Sequence, residues 1–369
     1  MMSQGRILFV INTLDIGGAQ TVLVNSCNAL AAVGVTPHIV PLKPERMFLA
    51  SRLSSKVVIH DSLCYRTRKV FSASKKLKEI INEVNPDAVH THLPISGYIA
   101  ALAWSRNTIL VATEHGRHPP GGIFQKLLER WTERRLNHRI FVSRNLQELF
   151  LASGITTEKN SSVIYNPVPP PMLNKSEARA RIRKTLGISG NTIVFNFTGA
   201  LRAVKNLPRL FRSFASFAGS RSQNCILLVV GDGSERTRSE ALCSELGIED
   251  RVKFAGNQNS VNDFFAASDI FVLTSRREAF PMALVEAMLC GVVPVCVAAG
   301  GIPELLEDGV NGFLLEPDDS SEDAAVFDRA VSSDLNVMSI KASENAAAVS
   351  SPENHAFKLK ELYSALRGE

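Results

Sequence analysis

Residues 269–289 run Asp-Ile-Phe-Val-Leu-Thr-Ser-Arg-Arg-Glu-Ala-Phe-Pro-Met-Ala-Leu-Val-Glu-Ala-Met-Leu, and this stretch decides the fold. Its apolar part at 270–273 predicts a buried parallel strand. The apolar run 282–289 predicts a buried helix, and Pro281 suits the first helical position because its missing N–H costs nothing there. A strand, a loop and a helix in this order are typical of an open α/β sheet, which binds ligands at the carboxyl ends of its strands.

Two carboxylates flank the start of this predicted helix. Glu278 lies in the loop and Glu286 inside the helix, and the free backbone N–H groups between them attract a diphosphate. One carboxylate can accept hydroxyls on one side of that diphosphate and the other on the opposite side, an arrangement that suits a nucleotide sugar. Taken singly, they would be a loop carboxylate and a solvated helix charge. The strand, the Phe-Pro turn and the apolar helix favour a binding site.

The composition is that of a soluble globular protein. The chain has 369 residues, 45% hydrophobic and 21% charged, which is enough for two domains. It contains no run of about 18 apolar residues that would predict a membrane-spanning helix, and its start shows no signal-peptide pattern. Six scattered cysteines without a Cys-x-x-Cys pair fit a reducing compartment. We therefore expect a cytoplasmic protein.

Short apolar strands alternate with helical stretches along the chain, which predicts two doubly wound parallel α/β domains. Residues 167–171 contain four prolines and predict a stiff extended linker. We place the domain boundary there, with one domain at 1–167 and a second at 168–351. Apolar spacing predicts a last helix at 352–369. The predicted strands are 7–11, 36–41, 57–60, 88–90, 108–112 and 139–142 in the first domain, and 193–197, 225–230, 251–254, 270–273, 293–297 and 312–315 in the second.

The segment 278–286 resembles the signature of retaining glycosyltransferases with the GT-B fold, specifically the group 1 type, also called family 4. The resemblance covers nearly the whole chain. It implies two Rossmann-like domains that face each other across a cleft, with the last helix packing back on the first domain. It also implies that Glu278 contacts the donor sugar and that Glu286 contacts the ribose of the nucleotide. Ala279 departs from the common pattern, which often has Gly there, and so leaves the donor sugar open.

A second motif, Gly199-Ala200-Leu201-Arg202-Ala203-Val204-Lys205-Asn206, follows a predicted strand. Two cations three residues apart at a strand end can clamp a diphosphate, Arg with forked donors and Lys with a point charge. As the leaving group departs, negative charge grows on its oxygens, so Arg202 and Lys205 would bind the transition state more strongly than the ground state. The arrangement resembles the diphosphate motif of the family.

In the first domain, Gly17 and Gly18 follow the first strand, and their backbone can approach an anion or a sugar closely. They resemble the Gly-Gly-Ala-Glu loop of the family, with Gln20 in place of the usual Glu. His115 matches the family histidine that faces the reacting sugar, where its role would be polar positioning. His92 is a weaker candidate that could equally be structural.

The remaining donor contacts implied by the resemblance lie around two turns. Backbone groups near Asn257 would meet the base, and the start of the predicted helix would meet the donor through Phe280, Pro281, Met282, Ala283 and Leu284. We expect no cofactor apart from the nucleotide diphosphate sugar as co-substrate. No metal site is expected either, because the strand-end histidines have no third ligand at suitable spacing and the chain has no Asp-x-Asp motif.

The acceptor side is less specific. Residues 1–167 carry 20 Lys and Arg against 11 Asp and Glu, a net charge of +9. A predicted helix at 123–136 has Phe124, Leu127, Leu128 and Trp131 on one face; they are explained either by core packing or by peripheral attachment to an anionic bilayer. Basic segments at 66–69 and 75–78 add to the charge. Nucleic acid is not expected because no nucleic-acid motif accompanies the charge.

Together these features predict a metal-independent retaining glycosyltransferase of the hexosyltransferase type, with Glu278, His115, Arg202 and Lys205 as its catalytic residues. It would move a sugar, for example from a UDP-sugar, to a glycan or lipid-linked saccharide in cell-surface polysaccharide, lipopolysaccharide or lipid-linked glycan synthesis. The location would be the cytoplasm or the cytoplasmic face of the inner membrane. The alternatives are a GT-B sugar-nucleotide epimerase and a non-catalytic scaffold that binds a membrane or a partner. A dehydrogenase is disfavoured because Arg236 stands where its third fingerprint glycine belongs.

Overall fold

The structure is a computed structural model that describes residues 5–45, 47–65, 69–105, 108–116, 119, 122–220 and 224–368. The chain folds as two compact units: residues 1–169 with 350–369, and residues 170–349. Both are α/β units with a parallel sheet, which confirms the predicted fold class. The predicted basic residues Arg66 and Arg68 lie outside the described residues.

The first unit contains a seven-stranded sheet in the order β3-β2-β1-β4-β5-β6-β7. The chain winds outward from β1 in one direction and from β4 in the other, so these two strands flank the point where the winding reverses. Continuous apolar runs such as Ile7–Ile11 are buried on both faces, as helices cover both sides of the sheet. Its strands are β1 (Arg6–Ile11), β2 (Thr36–Pro41), β3 (Val58–Ile59), β4 (Ala88–His92), β5 (Leu110–Glu114), β6 (His138–Phe141) and β7 (Ser161–Val163).

Six helices pack on this sheet. The last one belongs to the first unit although it ends the chain: its Ala356, Leu359 and Tyr363 share one core cluster with Phe9 of β1. Arg367 near its end forms an ion pair with Asp87. The helices are α1 (Gly18–Ala32), α2 (Val70–Val84), α3 (Pro94–Ala103), α4 (Ile123–Glu133), α5 (Arg144–Ala152) and, at the end of the chain, α13 (Pro352–Arg367).

The second unit contains a six-stranded sheet in the order β10-β9-β8-β11-β12-β13, so its winding reverses between β8 and β11. Its strands are β8 (Ile193–Thr198), β9 (Cys225–Val230), β10 (Val252–Gly256), β11 (Ile270–Leu273), β12 (Val293–Val297) and β13 (Phe313–Leu315). Its helices are α6 (Lys175–Thr185), α7 (Leu207–Ser220), α8 (Arg236–Glu245), α9 (Val261–Ala267), α10 (Met282–Leu289), α11 (Asp323–Ser332) and α12 (Leu335–Ser350).

Several local predictions need correction. Helix α10 begins at Met282 and not at Pro281, which directly precedes it; the carbonyl of Pro281 accepts from the N–H groups of Leu284 and Val285 at 3.1 and 3.3 Å. Strands β4, β5 and β10 each run two residues beyond the predicted end, to His92, Glu114 and Gly256. Strand β7 was missed because its three residues, Ser161–Val163, lack an apolar run.

Candidate functional site

The residues of the two predicted donor motifs lie at the point where the winding of the second sheet reverses. The loop after β8 carries Arg202 and Lys205, and the loop after the adjacent strand β11 carries Glu278. In open α/β sheets the loops leave such neighbouring strands in opposite directions, and ligands bind in the crevice that this creates. The motifs were recognised from separate segments, and the sheet topology places them side by side.

An ion pair joins the two loops. Nζ of Lys205 donates to Oε1 of Glu278 at 2.6 Å, and the two side chains are 22% and 12% exposed. Hydrogen bonds to backbone carbonyls also tie the loops together. The hydroxyl of Thr274 donates to the carbonyls of Lys205 and Asn206, both at 3.2 Å, and the N–H of Arg276 donates to the carbonyl of Val204 at 3.0 Å. Because these bonds do not involve the ion pair, the loops can stay in place when a ligand competes for the charges.

Glycines allow neighbouring loops to come this close. Gly300 has φ +59°, and a Cβ there would lie 1.7 Å from the carbonyl oxygen of Glu278, which also accepts from the N–H of Gly301 at 3.0 Å. A Cβ on Gly231, at φ +123°, would lie 2.1 Å from the carbonyl oxygen of Gly199. Only glycine fits these positions. The turn Gly231-Asp232-Gly233 therefore supports the loop that carries Arg202.

At the start of α10, backbone groups are available to a ligand, whereas some of the side chains are buried. The first N–H groups of any helix lack intrahelical partners, so those of Met282 and Ala283 are available to an anion. Phe280 and Leu284 are 7% and 0% exposed, so their side chains pack in the core and could serve a ligand only through backbone groups. Glu286 lies one turn inside the helix and is half-buried.

Two further residues predicted to contact the donor are exposed. Arg202 is exposed on the loop after β8. Asn257 is exposed directly after β10, which is separated from β8 by one strand. At a strand spacing of about 4.8 Å, Asn257 lies about 10 Å across the sheet from the loop after β8. The structure therefore places Asn257 at the same edge of the sheet as Arg202.

In the first unit, the other predicted residues follow β1, β4 and β5. Gly17 precedes α1, and a Cβ there would lie 2.5 Å from Oε1 of Gln20, so the Gln20 side chain folds against this backbone. A Cβ on Gly18 would meet nothing within 4 Å, which leaves that side of the turn open. His92 ends β4 and His115 directly follows β5, and the two side chains hydrogen-bond at 2.8 Å.

Burial keeps these histidines neutral at pH 7. It lowers the pKa of His115 to about 4 and, with repulsion from the neighbouring His90 and His115, holds that of His92 well below its usual range. The pKa of His90 falls to about 3, chiefly through burial. Nδ1 of His90 lies 2.6 Å from the hydroxyl of Tyr363, and this links β4 to α13. His115 therefore can present a neutral donor or acceptor to a ligand, but not a cation.

A buried charge cluster was missed by the sequence analysis. Arg139 is 3% exposed and lies 2.6 Å from Glu133, 3.4 Å from Glu114 and 4.0 Å from Glu129. These residues, apart from Glu133, line a small cavity together with Tyr98. No local spacing could reveal the cluster, because its members come from β5, α4 and β6.

Two family models match the chain. The model "Glycosyl transferases group 1" matches residues 178–348, and the model "Glycosyltransferase Family 4" matches residues 16–170. The two matches together span most of both units.

Individual proteins are similar as well. The N-acetyl-alpha-D-glucosaminyl L-malate synthase of Bacillus anthracis is 28% identical over 272 residues, which span 70% of this chain and 68% of that enzyme. The D-inositol 3-phosphate glycosyltransferase of Mycolicibacterium vanbaalenii is 26% identical over 291 residues, 72% of this chain and 64% of that protein. The crystal structure of HepE from Anabaena in complex with UDP superposes with a TM-score of 0.82 at 22% identity, covering 98% of this chain and all of that one. This likeness shows the GT-B fold.

Proposed function

Because the chain belongs to the group 1 glycosyltransferases of GT-B fold, we propose that it moves a sugar from a nucleotide diphosphate to an acceptor hydroxyl, with the donor bound at the carboxyl edge of the second sheet. The observation that carries this proposal is the pairing of Lys205 with Glu278 at 2.6 Å between the two loops where the winding reverses. One loop supplies cations for the diphosphate and the other a carboxylate for the sugar.

The chemistry follows from these charges. Cleavage of the bond between the sugar and the diphosphate leaves negative charge on the phosphate oxygens. Arg202 and Lys205 stabilise that charge, and the first N–H groups of α10 add further donors. Glu278 accepts hydrogen bonds from hydroxyls of the sugar. Glu286, about one turn after the start of α10, accepts hydrogen bonds from hydroxyls of the ribose. Each interaction with the diphosphate strengthens as the charge develops, so it accelerates the reaction and does not merely bind the substrate.

We propose UDP as the nucleotide and a hexose as the transferred sugar, with retention of anomeric configuration and without a metal ion. HepE, a structural neighbour, was solved with UDP and with UDP-glucose, which supports the choice of nucleotide. Proton NMR of the product reports its anomeric configuration directly; an inverted product would refute retention. Activity that disappears with EDTA and returns with a divalent metal would refute metal independence.

The direct test is transfer from a panel of nucleotide diphosphate sugars, selected first by thermal shift. Lys205→Ala should lower turnover at least about 100-fold, since a lost donor to a developing oxyanion costs about 3 kcal/mol. Glu278→Ala removes an acceptor for the sugar hydroxyls and should lower turnover roughly 10- to 100-fold, since a hydrogen bond to a charged group contributes about 1.5–3 kcal/mol. Lys184→Ala and Glu245→Ala are matched controls. Both residues are exposed and lie in the last turns of α6 and α8, which lead to the amino-terminal ends of the strands, at the opposite edge of the sheet. Full turnover in both site variants would remove these role assignments.

Two alternatives give different results in the same experiment. An epimerase would convert the donor sugar without an acceptor, which NMR of the nucleotide sugar would detect. A non-catalytic scaffold would show no nucleotide affinity by titration calorimetry. The paired Lys205 and Glu278, together with the neighbouring Arg202, favour the transferase.

The first unit exposes a set of large apolar side chains on three neighbouring helices. Helices α2, α3 and α4 pack on the same face of the first sheet, and each begins at the carboxyl ends of the strands. We define the apolar patch by the side chains in their first turns: Phe71 (80% exposed), Ile95 (38%), Ile123 (82%), Phe124 (78%) and Leu127 (59%). Core packing therefore does not explain Phe124 and Leu127, whereas Trp131 does pack against the core.

Exposed cations lie on or directly before two of the helices that carry the apolar patch, namely Lys69 and Lys75 at α2, and Lys126 and Arg130 on α4. A surface that combines large apolar side chains with Lys and Arg suits an anionic bilayer. We propose that the chain attaches peripherally to the cytoplasmic face of the inner membrane and glycosylates a lipid-linked saccharide there. None of the helices in the described part of the chain has the length and apolar composition needed to cross a bilayer.

Vesicle flotation tests this attachment. The chain should float with vesicles that contain anionic phosphatidylglycerol and less with neutral phosphatidylcholine. The double variant Phe124→Ser/Leu127→Ser should bind at least tenfold more weakly, because each inserted side chain contributes about 1.5–3 kcal/mol. Ile340→Ser, at a 58% exposed position of the second unit, is the control. Equal failure to bind both vesicles would favour a small anionic acceptor, the class named for the malate and inositol phosphate enzymes.

A further inference from the structure

His92 and His115 form a close pair at the carboxyl edge of the first sheet. His92 is 1% exposed, and His115 is half-buried. The two ring planes are inclined by 27° with centroids 4.9 Å apart, and Nδ1 of His92 lies 2.8 Å from Nε2 of His115. The distance is that of a hydrogen bond, so one of these two nitrogens carries the proton.

Both rings are neutral at pH 7 because burial lowers both pKa values, that of His115 to about 4. A neutral imidazole has one N–H and one bare nitrogen. Only two arrangements are then possible: Nδ1 of His92 donates to Nε2 of His115, or Nε2 of His115 donates to Nδ1 of His92. In the second arrangement, His92 must carry its own proton on Nε2.

The surroundings of Nε2 of His92 distinguish these two arrangements. Nε2 of His92 is buried and has no hydrogen-bond partner among the residues that the structure describes. A proton on this atom would be a buried donor without an acceptor, which is rare in proteins, whereas an unused acceptor is better tolerated. Leaving this buried N–H without an acceptor costs at least about 1 kcal/mol, so the arrangement with the proton on Nε2 of His92 is disfavoured at least about fivefold.

We infer that His92 is a positioning residue: its Nδ1–H donates to Nε2 of His115, so that His115 presents Nδ1–H to the ligand. Nδ1 of His115 has no hydrogen bond within the described part of the chain. The inference rests on the proposed function for its ligand, which is an oxygen atom of a substrate that accepts a hydrogen bond. In this tautomer His115 holds such an oxygen and does not act as a general base toward it.

The tautomer can be measured in the ligand-free full chain. After histidine-selective ¹⁵N labelling, long-range proton–nitrogen correlations separate the two ring nitrogens, since Nε2 couples to both ring carbon-bound protons and Nδ1 to one. The signals of His115 are assigned with the variant His115→Gln. At pH 7.5, we expect Nδ1 of His115 to be protonated in at least about five molecules for each one protonated on Nε2. Predominant protonation of Nε2 would overturn the inference.

Two variants test the role of His92. His92→Asn can place an amide N–H near the former Nδ1, and His92→Leu cannot. The Asn variant should keep the tautomer of His115 and most of the turnover, whereas the Leu variant should lose the bias and lower kcat/KM by roughly 10- to 100-fold. An unchanged tautomer in the Leu variant would overturn the role of His92. Should the Leu variant not fold, the wild-type spectrum alone decides. A chain with this tautomer but without transfer would refute the proposed function and not this inference.

Discussion

Replacing Glu278 with Gln and Lys205 with Met should change UDP affinity in opposite directions. In the structure, the ammonium of Lys205 donates to Glu278 at 2.6 Å, so a diphosphate has to compete with the carboxylate for the same cation. Glu278→Gln removes that competitor and one negative charge near the ligand. Lys205→Met removes the cation and keeps a side chain of similar length.

The magnitudes follow from Coulomb's law and from the strength of charged hydrogen bonds. A carboxylate about 6 Å from a phosphate charge repels it by about 0.7 kcal/mol in water and by about 3 kcal/mol at an effective dielectric constant of 20. Glu278→Gln should therefore tighten UDP binding at least about threefold. Loss of a charge-assisted hydrogen bond costs about 1.5–3 kcal/mol, so Lys205→Met should weaken UDP binding by roughly 10- to 100-fold.

Titration calorimetry with UDP at constant ionic strength measures both effects, and transfer from the sugar nucleotide gives the turnover. Turnover should fall in both variants, because in the proposed site Lys205 stabilises the leaving diphosphate and Glu278 holds the sugar, which UDP lacks. Lys184→Met and Glu245→Gln, both exposed at the far edge, should change neither quantity by more than about twofold. If Glu278→Gln weakened UDP binding as much as Lys205→Met does, the assignment of separate roles would be wrong.

Three further predictions concern stability. Burial lowers the pKa of His90 to about 3 and that of His115 to about 4, so both side chains bind a proton more readily in the unfolded chain. The free energy of unfolding should therefore be highest above pH 6.5 and should fall by about 2 kcal/mol per histidine between pH 7.5 and 5; urea titrations that show no such loss would contradict the burial. Gly300→Ala should lower the free energy of unfolding by at least about 3 kcal/mol, whereas Gly309→Ala, also at positive φ but with open space around it, should cost about 1 kcal/mol in the same thermal unfolding assay. Arg139→Met should cost about 3–5 kcal/mol because it removes a buried cation that pairs with Glu114 and Glu133, and a neutral effect would contradict this contribution.

The strands of the second unit could be predicted closely from the sequence because they are buried on both faces. The predicted strands 225–230, 270–273 and 293–297 have the observed bounds of β9, β11 and β12. Such strands read as continuous apolar runs. The prediction for β5 ended too early because Thr113 and Glu114 are polar, and the buried Glu114 pairs with Arg139, which lies 25 residues further along the chain. Tertiary partners of this kind leave no local signal.

The candidate site divides in the same way. Arg202, Lys205 and Glu278 stand out by local spacing, and the order of the strands then places them together. The hydrogen bond between His92 and His115 depends instead on the register of β4 against β5, which pairs His92 with Thr113. The requirement for Gly300 likewise comes from a carbonyl 22 residues earlier in the chain, that of Glu278. Register and backbone proximity cannot be read from the spacing of residues.

The location of the diphosphate is the central point of this account, and a crystal structure of the chain with UDP measures it directly. We predict that the diphosphate lies at the carboxyl ends of β8 and β11, with Arg202 and Lys205 within hydrogen-bonding distance of its oxygens and the first N–H groups of α10 directed at it. A diphosphate bound elsewhere, or one that Arg202 and Lys205 do not contact, would contradict the account.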